Sequence, residues 1–209
     1  MKITKYEHSC ISIEENGKLL IIDPVEFNNT LPEFTNVAAI VVTHSHSDHC
    51  SPEVVSKIKL SNPNAQIFTT VEAMSSLSGA YAVEAGNIQD VEGFHLEFFG
   101  KDHACIFEGR VPCSNIGVIV NGVVAHPGDS FDLPPSTPTI LMAPLDAPWC
   151  KVQETVSYIE QVRPQLVIPI HDAVLSDLGK TFDINNIKSI TDQDGIQVIP
   201  LNPNDDFTI

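Results

Sequence analysis

The chain has 209 residues, with 11 Lys and Arg against 27 Asp and Glu, for a formal net charge of -16. That balance excludes a nucleic-acid binder, which needs a basic footprint to neutralise phosphates, and it argues against an anionic membrane surface as partner. An unbroken composition, 43% apolar and 18% charged, predicts a single domain over residues 1–209 with one sizeable core.

The N-terminus alternates like a strand and lacks the continuous apolar stretch of a secretory signal. No window approaches the ~18 apolar residues of a membrane span. The five cysteines, Cys10, Cys50, Cys105, Cys113 and Cys150, form no CxxC pair. These features predict a cytoplasmic protein with free thiols.

Short β-branched runs predict strands over 3–6, 10–14 and 18–22, with Asn16-Gly17 as a hairpin turn between the last two. Asp23-Pro24 ends the third. The apolar run 37–42 reads as a strand buried on both faces and leads into Thr43-His44-Ser45-His46-Ser47-Asp48-His49. Ser51-Pro52-Glu53 then starts a helix, with Ser as N-cap and Pro at the first turn, running to about Leu60. A strand over 66–70 and a short helix over 72–77 follow. Further strands are expected over 94–99, 104–107, 116–120 and 123–126, the last two joined by Asn121-Gly122. The run 140–143 is another strand. Apolar spacing predicts a helix over 152–162, then a buried strand over 166–170 that delivers His171, and a closing strand over 196–199. Strand-rich halves with helices inserted between strands fit a sandwich of two sheets with outer helices.

His44 and His46 stand two apart just past a strand end, so in extended backbone both rings face one side. Asp48 and His49 follow where the chain turns toward the helix. Four imidazole or carboxylate ligands within six residues suit Zn, Mn or Fe. A solvated His-rich turn is the plain alternative, but matching ligands stand at other strand ends. His103 follows the strand 94–99, Asp129 lies in His126-Pro127-Gly128-Asp129-Ser130, and His171 ends the run 167–170. Any one alone would pass for a structural residue; three together point to a site. His95, inside an alternating strand, is the rival of His103.

The string THSHSDH, the upstream IIDP, the later GDS and the final PIHD resemble the metallo-β-lactamase superfamily in order and context. The N-terminal EHSCISIE resembles its ascorbate-6-phosphate lactonase-like branch. The resemblance spans nearly the whole chain. It implies an α+β fold, the four-layer αβ/βα sandwich, with a two-metal site at one edge of the sheets. It implies that His44, His46 and His103 hold a first divalent ion, that Asp48, His49 and His171 hold a second, and that Asp129 bridges them. Zn or Mn is expected, with Fe as a further possibility. Asp23 would support the His-rich loop from behind. The expected activity is metal-dependent hydrolysis of an ester, lactone or phosphodiester bond in a small molecule, by a hydroxide the two ions activate. Asp48 is expected to orient that hydroxide.

In the resembling branch a His in the N-terminal turn lies near the metals, which makes His8 a candidate acid or charge stabiliser. A turn histidine without function is the alternative. His126 is a candidate support for Asp129. Trp149 and Lys151 are candidate pocket residues, and Arg110 is the other nearby cation. The acidic surface argues against an RNA-processing nuclease, and the lack of a signal against a secreted lactamase. A flavodiiron-type reductase would carry an acidic residue in place of His46. A non-catalytic metal-binding scaffold of the same fold and a redox di-metal enzyme are the readings from other classes. The sequence leaves substrate, metal and oligomeric state open.

Overall fold

The computed structural model describes residues 1–209. The first sheet contains β1 (Lys2–Lys5), β2 (Ile11–Glu15), β3 (Lys18–Ile22), β4 (Val37–Val42), β5 (Gln66–Thr69), β6 (Ala80–Ala82) and β14 (Asp206–Thr208), in the order β14-β1-β2-β3-β4-β5-β6. The second contains β7 (Ile88–Val91), β8 (Phe94–Phe99), β9 (Gly117–Val120), β10 (Val124–His126), β11 (Ile140–Pro144), β12 (Leu166–Ile170) and β13 (Gln197–Val198), in the order β13-β12-β11-β10-β9-β8-β7. Helices α1 (Pro52–Ser61) and α2 (Val71–Met74) follow strands of the first sheet; α3 (Val152–Val162) and α4 (Asp177–Thr191) follow strands of the second.

Alternation along the strands builds the layers. Leu20 and Ile22 face the space between the sheets, where they join Ile11, Ile13, Phe68, Phe94, Leu96, Phe98, Val118 and Ile168. Ile21 faces the other way and packs with Ile40, Val42 and Ile67 against Val54, Val55 and Ile58 of α1. On the second sheet, Ile119, Leu141 and Val167 pack outward against Val156, Ile159 and Val162 of α3 and Ile187 of α4. A strand with apolar residues on both faces is thus covered twice, and all six residues of β4 are buried. The result is the expected four-layer αβ/βα sandwich. Each fully buried Ile or Leu in it contributes about 2 kcal/mol of transfer free energy.

Local signals hold in detail. Asn16 and Gly17 have φ of 51° and 74°, and Asn121 and Gly122 have 52° and 67°, the two left-handed residues that a tight hairpin turn requires. Ser51 caps α1 by accepting from the Val54 amide at 3.3 Å.

Some expectations fail. Residues 104–107 form no strand. The Ala104 amide instead donates to the Asp129 carbonyl at 2.8 Å, because β9 pairs directly with β8 and leaves no sheet edge for this segment. The short helix begins at Val71, one residue after its Thr70 cap, and ends at Met74. β6, β7, β14 and α4 were not anticipated. α4 hides from a periodicity reading because Leu178 and Phe182 are exposed and only Ile187 and Thr191 are buried.

Strand ends position the chemistry. β1 leads to His8, β3 to Asp23, β4 to His44–His49, β8 to His103, β10 to Asp129 and β12 to His171. All of these ends gather at one edge of the sandwich, as the contacts among the residues show. No helix is long and apolar enough to cross a membrane.

Candidate metal centre

Asp129 is the hub. Its Oδ1 lies 3.0 Å from His49 Nε2. Its Oδ2 lies 3.1 Å from His171 Nε2, 3.3 Å from His103 Nε2 and 3.8 Å from His44 Nε2. Four imidazoles from three different strand ends, those of β4, β8 and β12, therefore aim the same nitrogen at one carboxylate.

They do so because the opposite nitrogen of each is held from outside. His49 Nδ1 donates to Asp23 Oδ2 at 2.7 Å. His171 Nδ1 donates to the Asp146 carbonyl at 2.7 Å, and His103 Nδ1 donates to the Ala104 carbonyl. His44 Nδ1 donates to Thr43 Oγ1 at 3.1 Å, since that hydroxyl gives its own proton to Asp23 Oδ2 at 2.8 Å. Outer partners of this kind fix tautomer and ring orientation around a metal.

Two groups of potential ligands emerge. His44, His46, His103 and Asp129 have ligand atoms within 4.8 Å of one another, and so do His8, Asp48, His49 and His171. Asp129 touches members of both. The unsatisfied atoms carry the test for a metal. The buried polar side-chain atoms without a hydrogen-bond partner are His8 Nε2, His44 Nε2, His49 Nε2, His103 Nε2, Asp129 Oδ1 and Ser9 Oγ. Five of the six lie in this centre. Buried polar groups are normally paired, so five orphans gathered in these two adjoining groups fit divalent cations, and the His and Asp donor set suits them.

The electrostatics agree. Burial alone would raise the Asp129 carboxyl, but His49, His103 and His171 hold it well below the usual carboxylate range. Burial, with His49 as a cationic neighbour, drives His44 well below its ordinary value. Burial would lower His49 too, but Asp129 and Asp23 outweigh it and hold it well above. Asp48 is pulled down by its neighbours His8 and His49 despite its burial.

His8 is brought into the centre. Its ring centroid lies 3.8 Å from that of His171, the planes tilted by 50°, and its Nε2 lies 3.4 Å from Asp48 Oδ2. Its Nδ1 accepts from the Ala173 amide at 3.4 Å, so the ring proton belongs on Nε2, facing Asp48. His8, Asp23 and His171 have φ of 59°, 50° and 56°, an uncommon conformation for such residues that the surrounding network must impose.

The other candidates are placed as follows. His126 Nε2 donates to the Ser9 carbonyl at 3.0 Å and Nδ1 accepts from the Gly128 amide at 3.2 Å, tying the turn before Asp129 to the residue after His8. Trp149 is buried against the rings of His103 and His171, with centroids 5.5 and 5.7 Å away. Lys151 is exposed at the start of α3, its amide donating to Glu154, and it stands outside the His and Asp cluster. His95 lies on β8, bonded to Asp90 at 2.7 Å and half exposed, away from the centre that holds His103.

Sequence reasoning missed several supports. Thr43 accepts its place from Asp23, whose Oδ1 takes the Thr43 amide at 2.7 Å. Asn115 Oδ1 accepts the Asp129 amide at 3.0 Å. Lys5 is fully buried and donates to Asp172, beside His171, at 2.9 and 3.0 Å. Alternation carried a signal for Lys5: it shares a strand face with Ile3, so it must point inward.

A cavity of about 120 Å3 opens on His46 and His103. A larger one of about 640 Å3 runs between residues 163–166 and 194–197, but no His or Cys lines it.

Residues 2–171 match the family model described as a beta-lactamase superfamily domain. Protein Rv0786c of Mycobacterium tuberculosis is 28% identical over 206 residues, covering 96% of this chain and 97% of that one. A UPF0173 metal-dependent hydrolase of Geobacillus thermodenitrificans is 29% identical over 147 residues, 62% of this chain and 63% of that one. Among solved structures, Igni18, a metallo hydrolase from Ignicoccus hospitalis, superposes with TM-score 0.75 at 19% identity, over 100% of this chain and 98% of that one. CmlA, a diiron beta-hydroxylase from Streptomyces venezuelae, superposes with TM-score 0.74 at 11% identity, over 100% of this chain and 54% of that one. At such identities the two structures speak for the fold alone.

Proposed function

This chain belongs to the metallo-β-lactamase superfamily as a metal-dependent hydrolase, and we propose that it cleaves an ester, lactone or phosphodiester bond of a small molecule at a two-metal centre. His44, His46 and His103 would hold one divalent ion and Asp48, His49 and His171 the other, with Asp129 shared. The observation that carries this reading is that the oxygens of Asp129 face Nε2 atoms from both groups. Zn or Mn fits the mixed imidazole and carboxylate donors. When bound, the ions supply Lewis acidity, bringing the pKa of water to about 7 and polarising the bond under attack.

The chain's own residues do the rest. Asp23 and Thr43 hold the rings of His49 and His44 in the orientation an ion would need. Asp48, with its side chain 32% exposed, is the carboxylate that a substrate reaches, and it orients the attacking water. The Nε2 proton of His8 is aimed at the same carboxylate and is positioned to pass to a leaving group. Trp149 packs against two ligand rings and walls off bulk water behind them. An acidic, metal-dependent enzyme without a basic footprint acts on a small molecule rather than on nucleic acid.

The test is a hydrolysis panel of simple esters, lactones (a sugar-phosphate lactone among them), phosphodiesters and thioesters, with metal-loaded and chelator-stripped protein. Metal-dependent turnover of at least one ester, lactone or phosphodiester is expected. Oxygen uptake with iron and no hydrolysis would move the chain to the redox reading. Metal uptake with neither activity would make it a scaffold.

A further inference from the structure

The cavity beside His46 and His103 is walled by the segment 104–113, whose ends touch the centre: the Ala104 carbonyl accepts from His103, and Cys113 Sγ lies 3.4 Å from His46 Nε2. Ile106, Phe107, Arg110 and Val111 line it. The segment is held at both ends. The His103 amide donates to the Cys113 carbonyl at 2.9 Å. The Ser114 amide and hydroxyl donate to Glu72 at 3.0 and 3.2 Å, and the same carboxylate accepts from Ser45 of the ligand string at 3.1 Å. Glu72 thus ties the cavity wall to the loop that carries His44 and His46.

Two features of this wall have no structural use. Phe107 and Val111 are 69% and 95% exposed, apolar surface that folding leaves beside the reactive edge. The Arg110 side chain makes no ion pair and no hydrogen bond, although Glu108 stands two residues away. Arg110 is also the only cation lining the cavity. In a chain of net charge -16, the field repels an anion everywhere except where a local cation reverses it. The guanidinium offers a planar pair of donors matched to a carboxylate or phosphate.

We propose that Arg110 anchors the anionic end of an amphipathic substrate whose apolar segment lies against Ile106, Phe107 and Val111, with its scissile bond at His46 and His103. This rests on the hydrolase reading and narrows its substrate class to small esters or lactones that carry a separate negative charge. Arg110 is a specificity residue, acting on binding more than on chemistry.

The experiment compares a neutral ester, 4-nitrophenyl butyrate, with an anionic one, mono-4-nitrophenyl glutarate, on the metal-loaded enzyme and on Arg110→Gln and Arg110→Lys. The wild type is expected to prefer the anionic ester in kcat/KM. Arg110→Gln is expected to lower that preference about ten-fold, chiefly through KM, which corresponds to about 1.4 kcal/mol, and Arg110→Lys to recover part of it. A preference that Arg110→Gln leaves in place overturns the anchor. If the metal-loaded wild type hydrolyses neither ester, nor any member of the wider panel, the hydrolase reading fails instead. Calorimetry with 4-phenylbutyrate then decides the anchor by itself. Binding weakened at least about five-fold in Arg110→Gln supports it, while equal binding, or none to the wild type, overturns it.

Discussion

His49 Nε2 lies 3.0 Å from Asp129 Oδ1, and both residues are sealed from solvent. His49 reaches Asp23 with its other nitrogen at 2.7 Å, so one imidazole joins the hub of the centre to its outer support. The predictions below follow from that line of contacts and from the residues that flank it.

Asp129→Asn removes the charge that both ligand groups share. Metal content is expected to fall from about two ions per chain to one or fewer, with turnover down by at least about 100-fold. Elemental analysis and steady-state rates read this. Full metal content with wild-type turnover would show that Asp129 is no bridge.

Asp23→Asn keeps the left-handed backbone, which Asn tolerates, and removes the charge behind His49. Metal affinity is expected to drop about 10- to 100-fold, measured by competition with a chromogenic chelator. An unchanged affinity would make Asp23 a support of the fold only.

His8→Ala takes away a proton held over Asp48 without touching the hub. The catalytic rate is expected to fall on the order of 100-fold while metal content stays near two. Loss of metal in this variant would make His8 a ligand; an unchanged rate would leave it a packing residue.

Gly128 has φ of +64°, and a Cβ there would meet Thr43 Cβ at 2.8 Å and overlap Asn115 Oδ1. Thr43 and Asn115 both hold ligands, so neither can move freely. Gly128→Ala is expected to cost about 2–3 kcal/mol of stability and to lower metal content, read by urea unfolding and elemental analysis. A variant as stable as wild type would mean that the turn before Asp129 is soft.

Metal uptake should depend on pH in one direction. Asp129 and Asp23 overcome the burial of His49 and hold its pKa well above 6.5. In metal-free protein that charge stabilises the fold fully below pH 6.5, and the contribution is lost as pH rises through the raised value. An ion must displace the same proton. Apparent affinity should therefore climb with pH across this window, with about one proton released at pH 7 from this residue. Calorimetry in two buffers of different ionisation enthalpy measures the release, and none at pH 7 would contradict the assignment.

Much of this was legible in the sequence, and the reasons are local. The run 37–42 has the length and composition of a doubly covered strand, and His44, His46, Asp48 and His49 follow it closely, so both the fold class and the His-rich string stood out. His103, Asp129 and His171 were readable as residues just past strand ends, which is where the structure places them. The structure sets His103, not His95, beside Asp129; that burial is a tertiary fact, foreshadowed only by position along the chain. The supports were not legible. Thr43, Asn115 and Glu72 are ordinary polar residues whose value lies in contacts made by distant segments. The wall over 104–113 was misread as partly strand, since Ile106 and Phe107 carry strand propensity while no neighbouring strand exists to pair with them. α4 was missed because its apolar residues face out as often as in.

The central claim is a centre for two divalent ions, and metal content per chain tests it most directly. The protein should be purified without chelators or nickel resin and measured by elemental analysis, before and after titration with Zn and Mn. About two equivalents of bound metal, falling to one or fewer in Asp129→Asn, is the predicted result. No metal as purified, and none taken up on titration, would contradict the account.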